Sequence, residues 1–439
     1  MTATHGARVG GRLWFWVVLL GLTGQLAWTV ENMYLNLFVY ETITDNPTVL
    51  AVLVASSATA ATLATLLVGA WSDRVGRRRE FIALGYVLWG LTTACFGLVG
   101  VDSTAANAVA WAVVAIVTLD CVMSFLGSGA NDAAYQAWVT DSTTPANRAR
   151  VDGVVQTFPL LGMLVVFGAL DPITQDGRWG LFFALVGGVT ALVGVAAWFG
   201  IRSTATPQPS GTYLGSLVHG LRPTTVRSNP RLYLTLAAWA VLGASFQVFL
   251  PYLIIYVQNY LRIEAFAVVL GAVLIGASLL SVLGGRLLDG YGPLRAMWWL
   301  VPAYVAGLGA MWAARGMLPT IAAGILTMGT FLLCGAALSA TVRNLTPADR
   351  AGQVQGLRMI AMILLPSIVG PFIGAAVIRG SDAVYVDDFG VAKEVPTPGM
   401  FAAAAVVAVL VLVPLWLLRR HRDLPPVQPT GAQVQGADR

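Results

Sequence analysis

Charge is what this sequence lacks. Of its 439 residues only 11% are Asp, Glu, Lys or Arg, against about 25% in an ordinary soluble domain. The deficit excludes a water-soluble surface, and no stretch of ordinary polarity is long enough to be a separate soluble domain. Cysteine and histidine are scarce too. Cys95, Cys121 and Cys334 lie inside apolar runs with no CxxC or Cys/His cluster, so neither a disulfide framework nor a zinc site is expected. They read as small buried apolar side chains. His5, His219 and His421 fall in the tails and the central loop, which argues against a histidine metal centre. A phosphate-cradling loop is also missing, since Gly284-Gly285 lacks Walker spacing. With no nucleophile–base pair and no nucleotide domain, an enzyme, an ATP-driven pump or a receptor is the remote reading, and no cofactor is expected. Lysine occurs once, at Lys393, beside 25 arginines, the composition of a GC-rich bacterial genome. The net charge of +5 does not point to nucleic acid, because the arginines flank apolar runs.

What is present is hydrophobic length: 57% of residues are apolar and mean hydropathy is +0.74. A helix crosses the hydrocarbon with about 20 apolar residues. That rule predicts spans at 13–39, 49–71, 81–100, 108–136, 152–170, 179–200, 232–257, 266–288, 296–314, 318–341, 355–378 and 399–418. The first, from Leu13 to Tyr40, is too long for a signal peptide and reads as a retained helix. The expected fold is all-α: twelve transmembrane helices in two pseudo-symmetric six-helix bundles, residues 1–201 and 232–420. A proline-bearing cytoplasmic linker at 202–231 joins them, and a disordered tail follows at 421–439. With the N-terminus inside, the cytoplasmic segments hold 20 of the 26 basic residues, so both termini are expected in the cytoplasm. The outer loops then hold Arg178, Arg262, Arg315, Arg379 and Lys393, together with the acids Asp382, Asp387, Asp388 and Glu394. The expected unit is a monomer in a bacterial cytoplasmic membrane.

Two loops recur. Gly69, Asp73, Gly76 and Arg79, after the second run, map onto Gly285, Asp289, Gly292 and Arg295, after the eighth, at a constant separation of 216 positions. Thr144-Pro-Ala-Asn-Arg148 and Thr346-Pro-Ala-Asp-Arg350 repeat at a separation of 202. The chain is therefore read as a duplicated six-helix unit. Halves related in this way enclose a cavity near the midplane and rock about it.

The loop residues Gly69, Asp73, Arg74, Gly76, Arg77 and Arg78 resemble the Gly-x-x-x-Asp-Arg-x-Gly-Arg-Arg signature of the major facilitator superfamily. The resemblance implies a secondary transporter working by alternating access. It implies that the glycines allow close helix approach and that the charges gate the cytoplasmic side. Asp141 and Arg148 resemble a second superfamily pattern, an acid followed seven positions later by arginine. With the Asp73 loop they are expected to form an inner latch that holds the outward-facing state and breaks on opening inward. The antiporter signature in the fifth helix, a Gly-Pro pair among glycines, is missing, which weakens a drug–proton antiport reading.

A charged side chain at the centre of a spanning helix costs about 2.5–3.5 kcal/mol on insertion scales, so such residues usually face a wet cavity. Four qualify: Glu31, Asp120, Asp132 and Arg358. In the first helix Gln25, Thr29, Asn32 and Asn36 share a face beside Glu31. This polar stripe either lines the cavity or bonds to neighbouring helices. In the fourth helix Asp120, Ser124, Gly127, Asn131 and Trp138 share a face, while Asp132 lies about 18 Å beyond Asp120, too far to share one proton. Asp132 is read either as a cavity group or as the partner of a loop arginine at the inner interface. Pro159, Pro366 and Pro371 are candidates for bends.

Asn131, Asp132, Tyr135 and Gln136 also resemble the fourth-helix segment of the glycoside–pentoside–hexuronide symporters. There an aspartate and an aromatic three residues on serve cation and sugar, and Gln25 would fall where that branch has a sugar-binding acid. The second-helix aspartates of the branch are replaced by Ala61 and Thr65, which disfavours sodium and favours a proton carried by Asp132, Asp120 or Glu31. Arg358 is expected either to neutralise a membrane carboxylate or to hold an anionic substrate. The function expected is proton-coupled symport of a small polar solute such as a sugar or glycoside. The alternative is export of amphipathic compounds through a pocket lined by Trp28, Trp89, Trp111, Trp138 and Trp239.

Overall fold

A computed structural model describes residues 10–101, 107–144, 147, 151, 153–201, 226–227, 229–346, 356–381, 383–386 and 392–420, with backbone alone at 286–291. The linker at 202–231 (apart from a few residues at its end), the tail at 421–439, Arg148, Arg350, Asp382, Asp387, Asp388 and the side chain of Asp289 lie outside the described residues.

Only a helix satisfies all its own backbone polar groups in lipid, and twelve helices are long and apolar enough to cross a membrane. They are α1 (Gly11–Thr42), α2 (Pro47–Val75), α3 (Arg78–Leu98), α4 (Ala108–Asp141), α5 (Gly153–Gln175), α6 (Trp179–Gly200), α7 (Pro230–Tyr260), α8 (Phe266–Gly285), α9 (Pro293–Ala313), α10 (Met317–Leu345), α11 (Gly356–Arg379) and α12 (Gly399–Arg420). Every predicted run corresponds to one of them. Being twelve in number, they begin and finish at the same end of the bundle, here called the terminal end. Cys334 is buried as expected, whereas Cys95 is exposed.

The two halves pack on one plan. In the first half α3 lies against α6, α2 against α4, and α1 against α5 and α6. The second half repeats this with α9 against α12, α8 against α10, and α7 against α11 and α12. Between the halves α2 meets α11 and α5 meets α8, pairs that exchange under the same repeat. At the α3–α6 crossing Gly90 faces Gly187 so closely that a methyl on either would strike the other's carbonyl. The repeated loops also agree in backbone: Gly76 has φ 68° and Gly292 φ 80°, a region other residues avoid. These two glycines are needed for the turn. Gly69 and Gly285 do not mediate close approach: a methyl at Gly69 would meet Ala133 at an ordinary 3.6 Å, and one at Gly285 would meet nothing within 4 Å.

Several helices are not regular. Wider π-helical turns occupy Val30–Leu35 in α1, Ser128–Tyr135 in α4, Val166–Leu170 in α5, Tyr256–Tyr260 in α7 and Ile360–Leu364 in α11. Such turns insert a residue and concentrate at functional positions. Those of α1 and α4 carry Glu31, Asn32, Asn131 and Asp132.

At the end away from the termini the all-α expectation has one small exception. Strands β1 (Val384–Val386) and β2 (Ala392–Glu394) form an antiparallel hairpin between α11 and α12, with Tyr385 opposite Lys393. The hairpin ties the halves together there. Tyr40 Oη donates to the Glu394 carbonyl at 2.9 Å, Lys393 Nζ to the Glu41 carbonyl at 3.3 Å and the Glu394 amide to Asp45 Oδ2 at 2.7 Å. Arg379 reaches Asn46 at 3.3 Å, and Tyr252 Oη donates to the Pro47 carbonyl at 3.0 Å. Among the described residues no hydrogen bond joins the halves at the terminal end.

That end carries a charge cluster belonging to the first half alone. Arg78, 7% exposed, bridges Asp73 at 2.5 Å and Asp141 at 3.2 Å, and donates to Ser72. It binds α2, α3 and α4 together. Among the described residues Arg78 is the hub joining Asp73 and Asp141; the cluster is intact while the opposite end is tied shut, which runs against the expectation that it breaks when the terminal end opens. Arg77 pairs only with Glu80, at 3.1 Å, and Arg74 is exposed.

Candidate functional site

α1 divides the space between the halves into two chambers that share Gln25, Trp28 and Asn32. One, of about 340 Å³, is polar and lined by Glu31, Asn36, Ser57, Asp120, Ser128 and Asp132 from the first half and by Gln247 and Ser367 from the second. The other, of about 240 Å³, is apolar, with Met33, Phe167, Phe246, Phe249, Met311 and Met328 among its walls. The polar stripe of α1 thus faces cavity along its length: Thr29 opens on the apolar chamber, Asn36 on the polar one, and Gln25 and Asn32 on both. Thr29 and Asn32 also donate to the carbonyls of Gln25 and Trp28, each at 2.8 Å. Asn36 donates to the Asn32 carbonyl at 3.0 Å.

The polar chamber is built around carboxyl groups. Ser124 donates to Glu31 Oε1 at 2.5 Å, and Ser57, whose hydroxyl donates to the Val54 carbonyl at 3.3 Å, lines the chamber with Asp120. Glu31 and Asp120 are 8% and 1% exposed, and they lie within electrostatic range of each other. Glu31 Oε2 and Asp120 Oδ1 are buried with no hydrogen-bond partner. Buried polar atoms are seldom left so. Asp132 is better satisfied, accepting from Ser128 and Asn131 at 3.0 Å each. Among the described residues no basic side chain pairs with any of the three acids. The pair that shares a microenvironment is thus Glu31 with Asp120, across α1 and α4. Among the described residues Asp132 takes no loop arginine; Arg148 and Arg150 lie outside them.

Other expected site residues lie elsewhere. Tyr135 is buried, its hydroxyl donating to the Val17 carbonyl at 2.8 Å. Asn131 sits behind the cavity, accepting from Tyr86 at 2.8 Å; a methyl on Gly24 would strike its Oδ1 at 2.5 Å. Gln136 is exposed and lines neither chamber. Arg358 stands at the third position of α11, near the terminal end, not at the midplane. It donates to Ser339 at 3.0 Å and to Met362 Sδ at 3.1 Å, and lies over the Trp239 ring at 5.2 Å. Among the described residues it touches no carboxylate, and it lines neither chamber. Of the five tryptophans assigned to an apolar pocket, only Trp28 lines one. Trp89 packs on Tyr86, Trp138 is buried beside Tyr135, and Trp111 is 70% exposed.

Sequence reasoning missed Ser57, Gln247 and Ser367. Gln247 Nε2 donates to Ser367 Oγ at 3.0 Å. Its signal was available, because Gln247 stands 216 positions after Glu31, the separation of the first loop repeat. Also missed was Asp171, 2% exposed at the far end of α5. It accepts from Tyr34 at 2.8 Å and from Gln175 at 2.6 Å, and binds α1 to α5 as a structural tie.

The family profile described as Major Facilitator Superfamily matches residues 17–371. No curated protein matches the chain closely enough to be counted. Among solved structures, a mutant of the nucleoside transporter NupG is similar with TM-score 0.74 and 12% identity, covering 92% of this chain and 99% of that one. A bacterial homologue of the human lysosomal transporter Spinster, inward-facing and unoccupied, gives 0.68 and 15%, covering 93% and 96%. A D-xylose–proton symporter gives 0.68 and 15%, covering 94% and 98%. At such identities the likeness concerns the fold.

Proposed function

The chain belongs to the Major Facilitator Superfamily and is a secondary membrane transporter, and from that premise we propose that it couples protons to the symport of a small polar solute of the sugar or glycoside class. The observation that carries the reading is the Glu31–Asp120 pair, two buried carboxyl groups with orphan oxygens and, among the described residues, no basic partner. Charge left uncompensated inside a membrane is costly. A bound cation meets it, and a proton needs only the free oxygen to sit on. Asp132, already hydrogen-bonded, is the next station towards the terminal end. The stripe of Gln25, Thr29, Asn32 and Asn36 supplies donors and acceptors for hydroxyl groups, and Gln247 supplies the facing amide.

The positive-inside bias supports a reading with both termini in the cytoplasm, and the arginine-rich composition supports a bacterial cytoplasmic membrane. With the opposite end tied shut, the conformation is then inward-facing. The working unit is a monomer, with domains at 1–201 and 232–420. The test is uptake of labelled sugars, glycosides and nucleosides by proteoliposomes, with and without an acid-outside gradient. Accumulation that follows the gradient is expected; uptake indifferent to it for every solute overturns the coupling.

A second reading has its own observation. The apolar chamber, with four phenylalanines and four methionines among its walls, suits the apolar part of an amphipathic compound. Drug resistance in an overexpressing strain, lost on Phe249→Ala, would favour export.

A further inference from the structure

We propose that the cleft between α9 and α12 at the terminal end holds the head group of one anionic phospholipid. The cleft encloses about 400 Å³, and Arg295, Trp298 and Trp299 of α9 face Leu415, Leu418 and Arg419 of α12 across it. It shares no residue with either central chamber. The repeated-loop reading uses Arg295 only as a sequence marker, and the proposed transport uses none of these side chains.

Three features choose the ligand. The first is charge. Arg295 and Arg419 are exposed, and among the described residues neither has a carboxylate partner. Two guanidiniums opening into one cleft suit a phosphodiester, whose oxygens accept paired N–H donors. The start of α9 at Pro293 adds first-turn backbone amides that lack intrahelical acceptors. The second is depth. Trp299 is 81% exposed and Trp416 45% exposed. Tryptophans so placed at the end of a spanning helix sit at head-group level. Arg420 stacks on Trp416 with its guanidinium carbon 3.6 Å from the ring centroid, so a further cation borders the cleft. The third is the track leading away. Val406, Val409, Val413 and Trp416 are exposed along one side of α12, an apolar strip running from the cleft towards the midplane. A free phosphate compound would use the arginines and leave the strip bare; a phospholipid uses both. Basic pockets between helices on the cytoplasmic side suit anionic head groups, and the positive-inside bias puts this end there.

Bound lipid would brace α9 against α12 at the place where, in the first half, the equivalent helices α3 and α6 carry Arg79 over Trp198 at 5.4 Å. Among the described residues the second half gives its corresponding arginine, Arg295, no such ring contact, and its guanidinium opens into the cleft.

The experiment is native mass spectrometry of the full-length protein in neutral detergent, titrated separately with phosphatidylglycerol, phosphatidylcholine and glycerol 3-phosphate. One phosphatidylglycerol is expected to bind in preference to phosphatidylcholine. Each basic residue near an anionic lipid contributes about fivefold, so the double variant Arg295→Gln/Arg419→Gln should bind it about thirtyfold more weakly. Arg231→Gln, at the start of α7, should leave binding unchanged and serves as the control for general charge loss. Equal affinity for the two lipids, or no change in the double variant, overturns the proposal. Glycerol 3-phosphate binding as tightly as phosphatidylglycerol would overturn the lipid assignment and leave a soluble-anion site.

Discussion

The two halves share a packing plan and differ in chemistry. In the first half the cavity wall carries Glu31, Asp120 and Asp132. In the second half Gln247 stands where the repeat would place the counterpart of Glu31, and Cys334, fully buried, stands 202 positions after Asp132. Duplication fixes how helices cross, because crossings depend on small residues and turn glycines such as Gly76 and Gly292. It does not fix cavity side chains, which are free to diverge once the backbone is set. The buried carboxyl groups are thus concentrated on one side of the interface between the halves, while the other side offers an amide, a hydroxyl and apolar walls.

The sharpest way to break this comparison is to make the first half like the second. Glu31→Gln gives both halves an amide at equivalent positions, and Asp120→Asn removes the second carboxylate of the pair. Coupling between two ligands is typically worth about 1–3 kcal/mol, or 5–150-fold. Each variant should lose that factor in acid-driven accumulation while keeping solute exchange between equal concentrations across the bilayer. In the parent protein uptake should rise as the outside is acidified. Accumulation unchanged in both variants would show that the carboxyl pair is structural. Asp132→Asn, whose acid is already satisfied by two donors, should have the smaller effect of the acids.

Much of this was legible without coordinates. The twelve runs, the repeated loops and the polar face of α1 follow from hydrophobic length and a constant separation. The Glu31–Asp120 pair was not legible, because it depends on how α1 docks against α4, and no local pattern encodes that. The assignment of Tyr135 and Asn131 to the cavity failed for a definite reason. Face arguments assume a turn of about 100° per residue, and the wide turn at Ser128–Tyr135 breaks that register where it was being used. Arg358 was misjudged through a boundary: a run opening at 355 does not say that its third or fourth residue lies at the membrane edge. Arg78 was visible as part of a motif, but its role as the hub between Asp73 and Asp141 required the geometry.

A smaller effect is expected from that hub, which has no described counterpart in the second half. Arg78→Ala leaves two acids facing each other with a buried hydroxyl. Removing one partner of a buried ion pair costs about 3–5 kcal/mol, but Asp73 and Asp141 are a third or more exposed, which screens them, so about 1–3 kcal/mol is expected. A lower melting temperature would read it out, with Arg78→Lys recovering part. Smaller again is the tie at the opposite end. Tyr40→Phe removes one hydrogen bond, worth about 1 kcal/mol, from the state that is closed there. Labelling of a Leu253→Cys probe from that side should rise about fivefold in a background with Cys95, Cys121 and Cys334 replaced by serine. An unchanged rate would mean that the hairpin does not hold the halves.

The least effect is predicted where intuition from sequence would place a large one. Arg358 lies within a membrane-spanning helix of the second half, and an anionic solute or a buried acid would be its natural partner. Its guanidinium is instead occupied by Ser339, Met362 and the Trp239 ring. Arg358→Gln should therefore cost about 1 kcal/mol of stability, the worth of one hydrogen bond and one partly exposed cation–π contact. The concentration of solute giving half-maximal transport should stay within about twofold, since less than 0.5 kcal/mol of binding is at stake. A rise of tenfold or more, with folding intact, would mean that Arg358 swings into the cavity in another state of the cycle. The second half would then be a participant in recognition and not a wall.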